Sequence, residues 1–166
     1  MYGKERETLA RNLYEKLYFA EHNGGKMKYS GLIIDASKPH LGASPDGILQ
    51  CKCCTTGVLE IKCPYKFKNF TIDQIYSENY HIEKDENDCM KLKETSQWYT
   101  QVQTQMAVAN VQWCDFVLCL EGDVKNGKHK IYNERIYFDE SLWNSLFEKS
   151  KIFFENFVLP KFSEMD

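Results

Sequence analysis

The run Val58-Leu59-Glu60-Ile61-Lys62 has the apolar make-up of a strand, yet two opposite charges stand in it two residues apart. Alternate side chains of a strand leave by one face, so Glu60 and Lys62 point the same way. Pro64 stops the strand. Gly47-Ile48-Leu49 is a second strand, joined to the first by Gln50 to Gly57, and Asp46 sits at its start. A hairpin of the two brings two carboxylates and one ammonium to one sheet edge. Hard oxygen ligands of this kind suit Mg²⁺ or Mn²⁺, which keep several waters and share phosphate oxygens. A lysine beside them can orient or deprotonate an attacking water, or stabilise charge building on a phosphate. Metal-assisted hydrolysis of a phosphodiester needs that set. An Asp-Gly turn and a Glu-x-Lys strand are each common surface features. The specific signal is their order, Ser44-Pro45-Asp46-Gly47 followed by Glu60-Ile61-Lys62-Cys63-Pro64.

Around this pair the chain alternates helix and strand. Leu9, Leu13, Leu17 and Ala20 recur at helical spacing and predict a helix over Glu5 to Ala20, closed by His22-Asn23-Gly24-Gly25. Tyr29 to Asp35 is predicted as a strand, and residues 71–92 as an irregular, charged stretch with a short helix. Thr95 to Ala109 carries the stripe Trp98, Val102, Met106 and Ala109. Trp113 to Leu120 and Lys130 to Phe138 flank Asn126-Gly127, a strong hairpin signal. A last helix, Glu140 to Val158, shows Leu142, Leu146, Phe153 and Phe157 on one face. The expectation is a single α/β domain over 1–166.

Composition sets limits on partners. No uncharged apolar run approaches the roughly 18 residues of a membrane helix, and the charged start has no apolar signal segment, so an intracellular protein is expected. The formal charge of −3 excludes a broadly basic nucleic-acid coat but leaves room for a local basic groove. Lys4, Arg6 and Arg11 on the first helix, and Lys66 and Lys68 past the active strand, are candidates for one. A charged turn suffices for Lys125, Lys128, His129 and Lys130. The seven cysteines, an odd number without a signal sequence, predict a reduced chain. Cys51, Cys53 and Cys54, with Cys63 nearby in sequence, raise the alternative of a small zinc-stabilised interaction domain.

Two further blocks carry polar residues at helical spacing. In Gly3-Lys4-Glu5-Arg6-Glu7-Thr8-Leu9-Ala10-Arg11, Glu7 lies on one ridge with Ala10, Tyr14 and Leu17. In Gln97-Trp98-Tyr99-Thr100-Gln101-Val102-Gln103-Thr104-Gln105-Met106, Gln97, Gln101 and Gln105 form a ridge beside the apolar stripe. With the Asp46 and Glu60 segment, these blocks resemble the YqaJ-type viral recombinase nucleases, the group that contains phage lambda exonuclease, within the PD-(D/E)xK superfamily. The resemblance implies a restriction-endonuclease-like core, a central mixed β-sheet flanked by α-helices. It implies metal ligation by Asp46, Glu60 and the main-chain carbonyl of Ile61, with Lys62 handling the nucleophilic water. Glu7 is the acidic residue of the first helix that leans into the site, and Gln101 the catalytic glutamine; Gln97 and Gln105 are expected on a solvated face. The implied activity is Mg²⁺-dependent hydrolysis of DNA, with Mn²⁺ able to substitute, by an exonuclease acting on duplex ends in recombination. A ring-shaped homo-oligomer and a single-strand annealing partner are implied too. The family's 5′-exonucleases hold the terminal phosphate with an Arg and a Ser ahead of the first helix; this chain starts inside that helix block, so that segment is expected to be absent. The alternative is a catalytically silent nuclease-like module that binds DNA or protein.

Overall fold

The computed structural model describes residues 2–77, 80–120 and 131–163. In chain order its elements are α1 (Tyr2–Glu21), β1 (Lys26–Lys28), β2 (Ile33–Ile34), β3 (Gly42–Ala43), β4 (Gly47–Gln50) and β5 (Gly57–Lys62). There follow a 3₁₀ turn (Tyr65–Phe67), α2 (Ile72–Ser77), β6 (Ile82–Lys84), β7 (Met90–Leu92), α3 (Gln97–Ala109), β8 (Trp113–Leu118) and β9 (Tyr132–Tyr137). The C-terminal helix runs as α4 (Glu140–Phe153), a π-helical segment (Phe154–Val158) and α5 (Leu159–Ser163).

Five strands form one mixed sheet in the order β1-β4-β5-β8-β9. β5 and β8 are parallel and the other neighbours antiparallel. A parallel pair needs a long crossover, and residues 63–112, with α3 among them, supply it. β8 is an interior strand, between β5 and β9, with both faces covered, which is why all six of its residues are buried. Cys114, Phe116 and Leu118 join Val58 against Trp98, Val102 and Met106 of α3. Trp113 and Val117 join Leu59 and Ile61 against Ala10, Tyr14 and Tyr18 of α1. Complete burial of a side chain such as Phe116 stabilises the fold by about 2–3 kcal/mol.

Local signals set the ends of these elements. Ser96 and Asp139 cap α3 and α4 by accepting the backbone N–H of Trp98 and Leu142. Gly24 takes the left-handed conformation, φ 65°, that turns the chain out of α1. A Cβ on Gly57 would lie 2.4 Å from the Trp113 ring, so the start of β5 admits glycine alone.

The structure departs from the sequence expectation in four places. The buried line of α1 is Ala10, Tyr14 and Tyr18, while Leu17 is 45% exposed; the tyrosines reach deeper, and the Tyr14 hydroxyl donates to buried Asp115. Of the strand expected over Tyr29 to Asp35 only β2 forms, with β1 lying just ahead of that span; Tyr29 and Leu32 face solvent. The irregular stretch contains an antiparallel pair, β6 with β7. The apolar face of the last helix is largely uncovered, with Phe153 and Phe157 about 60% exposed. β8 and β9 pair as the Asn126-Gly127 signal requires, and that turn itself lies outside the described residues.

Candidate active site

The hairpin register places Gly47 opposite Leu59, which sets Asp46 beside Glu60. β5 holds Asp46 twice. Its N–H donates to the Leu59 carbonyl at 2.9 Å, and its Oδ2 accepts the Ile61 N–H at 2.7 Å. Glu60 is 3% exposed and lies on the face that meets α3. Its Oε1 accepts from Lys62 Nζ at 2.5 Å and from Gln101 Nε2 at 2.8 Å. Its Oε2 accepts from Gln105 Nε2 at 2.7 Å. Lys62 Nζ also donates to Gln101 Oε1 at 2.8 Å, so Glu60, Lys62 and Gln101 close a ring of hydrogen bonds. One amide orientation of Gln101 satisfies both contacts, since only its nitrogen can donate to the carboxylate.

Charge in this cluster is finely opposed. Burial pushes the Glu60 carboxyl above its ordinary value; Lys62 pulls it back, and the like charge of Asp46 raises it again. The hydrogen bond from Gln105 favours the ionised form.

α1 supplies the other wall. Glu7, Thr8 and Arg11 line a cleft of about 330 Å³ together with Asp46, Ser44 and Tyr29. Arg11 turns inward: Nη2 donates to the Asp46 carbonyl, and the guanidinium lies 4.2 Å from the Tyr29 ring centroid. Its Nη1 is buried with no hydrogen-bond partner among the described residues. Past β5, Lys66 is exposed and lies over the rings of Phe67 and Tyr80, while Lys68 donates to the Tyr65 hydroxyl at 3.0 Å. Arg6 is half-buried on α1, and Gln97 is exposed. The side chain of Lys4 lies outside the described residues, as do Lys125, Lys128, His129 and Lys130.

The structure brings Asp46, Glu60, Ile61, Lys62 and Gln101 into one network and puts Glu7 in the adjoining cleft. It corrects the reading of Gln105, which is buried on Glu60 and not solvated. Gln101 and Gln105 stand one helical turn apart, so a helix that aims one at Glu60 aims both. His81 was also missed. Its Nδ1 meets Ser96 Oγ at 2.7 Å, its ring lies 4.0 Å from Trp98, and burial together with Lys93 and Lys62 lowers its pKa. Asp115, buried in β8, receives both Nε and Nη2 of Arg135 at 2.8 Å as well as the Tyr14 hydroxyl. A charge amid Trp113-Cys114-Asp115-Phe116-Val117-Leu118 was the available signal, because a central strand tolerates one only with a partner. The set Cys51, Cys53, Cys54 and Cys63 does not converge. Cys63 sits at the far end of β5, about 20 Å of strand from the loop, where its thiol is hydrogen-bonded with Cys119.

A family model described as the YqaJ-like viral recombinase domain matches residues 1–112. The chain belongs to that family. The matched segment contains all of Glu7, Asp46, Glu60, Lys62, Gln101 and Gln105. Among solved structures, an alkaline exonuclease (LHK-Exo) from Laribacter hongkongensis is 26% identical, with a TM-score of 0.68 over 99% of this chain and 74% of that one. The same exonuclease in complex with dAMP matches equally, at 26% identity, TM-score 0.68 and the same coverage. The mixed sheet flanked by helices is thus the YqaJ architecture, that of a restriction-endonuclease-like fold. No curated protein sequence gives a significant match.

Proposed function

We propose that this YqaJ domain is a metal-dependent DNA exonuclease of recombination, with its active centre at Asp46, Glu60, Lys62, Gln101 and Glu7. The observation that carries the reading is the closed Glu60–Lys62–Gln101 network beside Asp46, lying inside the segment that matches the family. The named function of the solved relatives, alkaline exonuclease, supports it.

The donor set fits a hard divalent cation, Mg²⁺ in this reading with Mn²⁺ as substitute. Two carboxylates stand together against the ion-paired ammonium of Lys62, and burial makes the negative charge of Glu60 costly. Asp46, Glu60 and the Ile61 carbonyl would hold the cation, whose charge would be shared by the phosphate oxygens and the attacking water. The protein's own part is positioning. Lys62, held by Glu60 and Gln101, orients the water whose oxygen bonds to phosphorus as one P–O ester bond breaks; the leaving alcohol takes a proton. Gln101 and Gln105 donate to Glu60 and fix its rotamer, and the bond from Gln105 favours the ionised form. Glu7 adds a carboxylate from α1.

DNA contacts in this reading run along the cleft. Arg11 Nη1, buried and without a hydrogen-bond partner among the described residues, suits a backbone phosphate oxygen. Lys66 and Lys68 extend the basic edge beyond β5, and Lys4 and Arg6 the edge of α1. A homo-oligomer belongs to the same reading, supported by the exposed apolar residues Ile152, Phe153, Phe157 and Phe162 of the C-terminal helix. A single-strand annealing partner would take the strand that resection exposes. A reducing, intracellular setting agrees with seven cysteines that stand as free thiols.

The test is incubation of linear and covalently closed duplex DNA with Mg²⁺, with EDTA, and with the Asp46→Asn variant. Mononucleotide release from linear DNA alone, abolished by EDTA and by the substitution, is expected. Cleavage of the closed circle would argue for an endonuclease, and shifts of DNA mobility without any cutting for a silent binding module.

A further inference from the structure

The end of the β4–β5 hairpin remote from Asp46 carries a second cluster that the nuclease reading does not use. The chain leaves α1 at His22, and Gly24 bends it so that Asn23 meets the hairpin connection, where its carbonyl accepts the Lys52 N–H at 2.9 Å. His22 Nδ1 then faces three sulfurs, 3.4 Å from Cys53, 3.6 Å from Cys54 and 3.7 Å from Cys51. The Cys51 and Cys53 sulfurs are 3.3 Å apart, those of Cys53 and Cys54 4.0 Å, and all four ligand atoms lie within 4.8 Å of one another.

Five of the six separations, 3.3–4.0 Å, lie close to the edges of a metal-centred tetrahedron. With Zn–S of about 2.3 Å and Zn–N of about 2.0–2.1 Å, tetrahedral geometry demands S···N edges near 3.6 Å and S···S edges near 3.8 Å. Two further contacts suit bound sulfur. The Cys54 N–H points at Cys51 Sγ at 3.1 Å, a donor that a thiolate accepts better than a thiol. The Tyr18 hydroxyl, in a side chain 2% exposed, has no well-formed hydrogen bond among the described residues and interacts with Cys51. Its ring also stacks on His22, with centroids 4.4 Å apart, and fixes the imidazole.

We propose that His22, Cys51, Cys53 and Cys54 form a structural zinc site that clamps the exit of α1 to the β4–β5 connection. Soft thiolates with one imidazole select Zn²⁺ over the hard cations suited to Asp46 and Glu60. Four protein ligands leave no open position, so the site has no catalytic role of its own. Its effect is to tie together the helix that carries Glu7 and the hairpin that carries Asp46 and Glu60. Within Cys-x-Cys-Cys, Cys51 and Cys54 have the usual Cys-x₂-Cys spacing; the fourth ligand comes from His22, across 29 residues of chain.

Protein purified under reducing conditions without chelator should contain one equivalent of zinc per chain, by elemental analysis. Replacing zinc with Co²⁺ should give intense visible d–d bands of a tetrahedral ion and a thiolate charge-transfer band in the near ultraviolet. Cys51→Ser with Cys54→Ser should lower zinc content by at least about tenfold, whereas Asp46→Asn should leave it unchanged. Because the double variant could fold poorly, the cobalt spectrum of the unaltered chain decides independently. A metal-free chain whose cobalt complex lacks the charge-transfer band would overturn the proposal. So would zinc retained in the double variant, or a Cys51–Cys53 disulfide in the reduced preparation.

Discussion

The β4–β5 hairpin has two chemically opposite ends. At one, Asp46 and Glu60 present carboxylate oxygens, fixed by the Ile61 N–H, Lys62 and two glutamines. At the other, three cysteine sulfurs surround an imidazole nitrogen. The first end opens on a cleft and keeps Glu60 in tension between burial, the like charge of Asp46 and a single ion pair. The second is closed on itself. The contrast separates two tasks, a site that must exchange ligands with substrate and a joint that must not. One six-residue strand between them keeps both in register, so a change at either end reports on the other only through the backbone.

The two ends also differ in how readily sequence reveals them. Glu60 and Lys62 share a strand face by a period of two, and Asp46 follows from a hairpin, so this cluster was legible from spacing alone. The ridge on α3 offered Gln97, Gln101 and Gln105 alike, and only the resemblance to the family singled out Gln101. The burial of Gln105 was not legible, because helical periodicity shows which residues share a face but not where the apolar border stops. His22 could not be paired with the cysteines either. It stands in a helix exit, and only the left-handed Gly24 and the docking of Asn23 on Lys52 carry it to the loop. Cys63, the closer neighbour in sequence, points elsewhere because a rigid strand intervenes. In the fold, element order and the central pairing were readable, whereas the Tyr14 and Tyr18 face of α1 depended on a tertiary partner, Asp115.

Among residues that do not ligate the cation, the largest effect is expected from Lys62→Ala. Loss of the ammonium should slow DNA cleavage about 10³-fold, or about 4 kcal/mol of transition-state stabilisation, without altering zinc content. Cleavage within about threefold of the unaltered protein would remove Lys62 from the chemistry. Gln105→Leu should act through Glu60 and slow cleavage about tenfold near neutrality. Its amide favours the ionised carboxylate, so its removal raises the Glu60 pKa further, and the acid limb of the rate profile should move to higher pH. An unmoved limb would make Gln105 a packing residue only.

Glu60→Gln separates activity from stability. Because the folded-state pKa of Glu60 is raised, the native state binds more protons than the unfolded chain between the two pKa values, and stability falls as pH rises through that window. In EDTA at pH 8 the variant should therefore melt above the unaltered protein while cutting no DNA. The difference should vanish below about pH 4, near the unfolded carboxyl value. An equal or lower melting temperature at pH 8 would contradict the tension assigned to this end. The smallest effect belongs to a control remote from both: Asp139→Ala, which uncaps α4, should cost about 1 kcal/mol in denaturant unfolding and change neither zinc content nor cleavage.

Calorimetric titration of Mn²⁺ tests the central claim most directly, using the unaltered chain, Asp46→Asn, Glu60→Gln and Cys51→Ser. The account predicts one hard-cation site, lost in both carboxylate variants and kept in the cysteine variant. Mn²⁺ uptake that survives both carboxylate substitutions, or that disappears with Cys51, would contradict it.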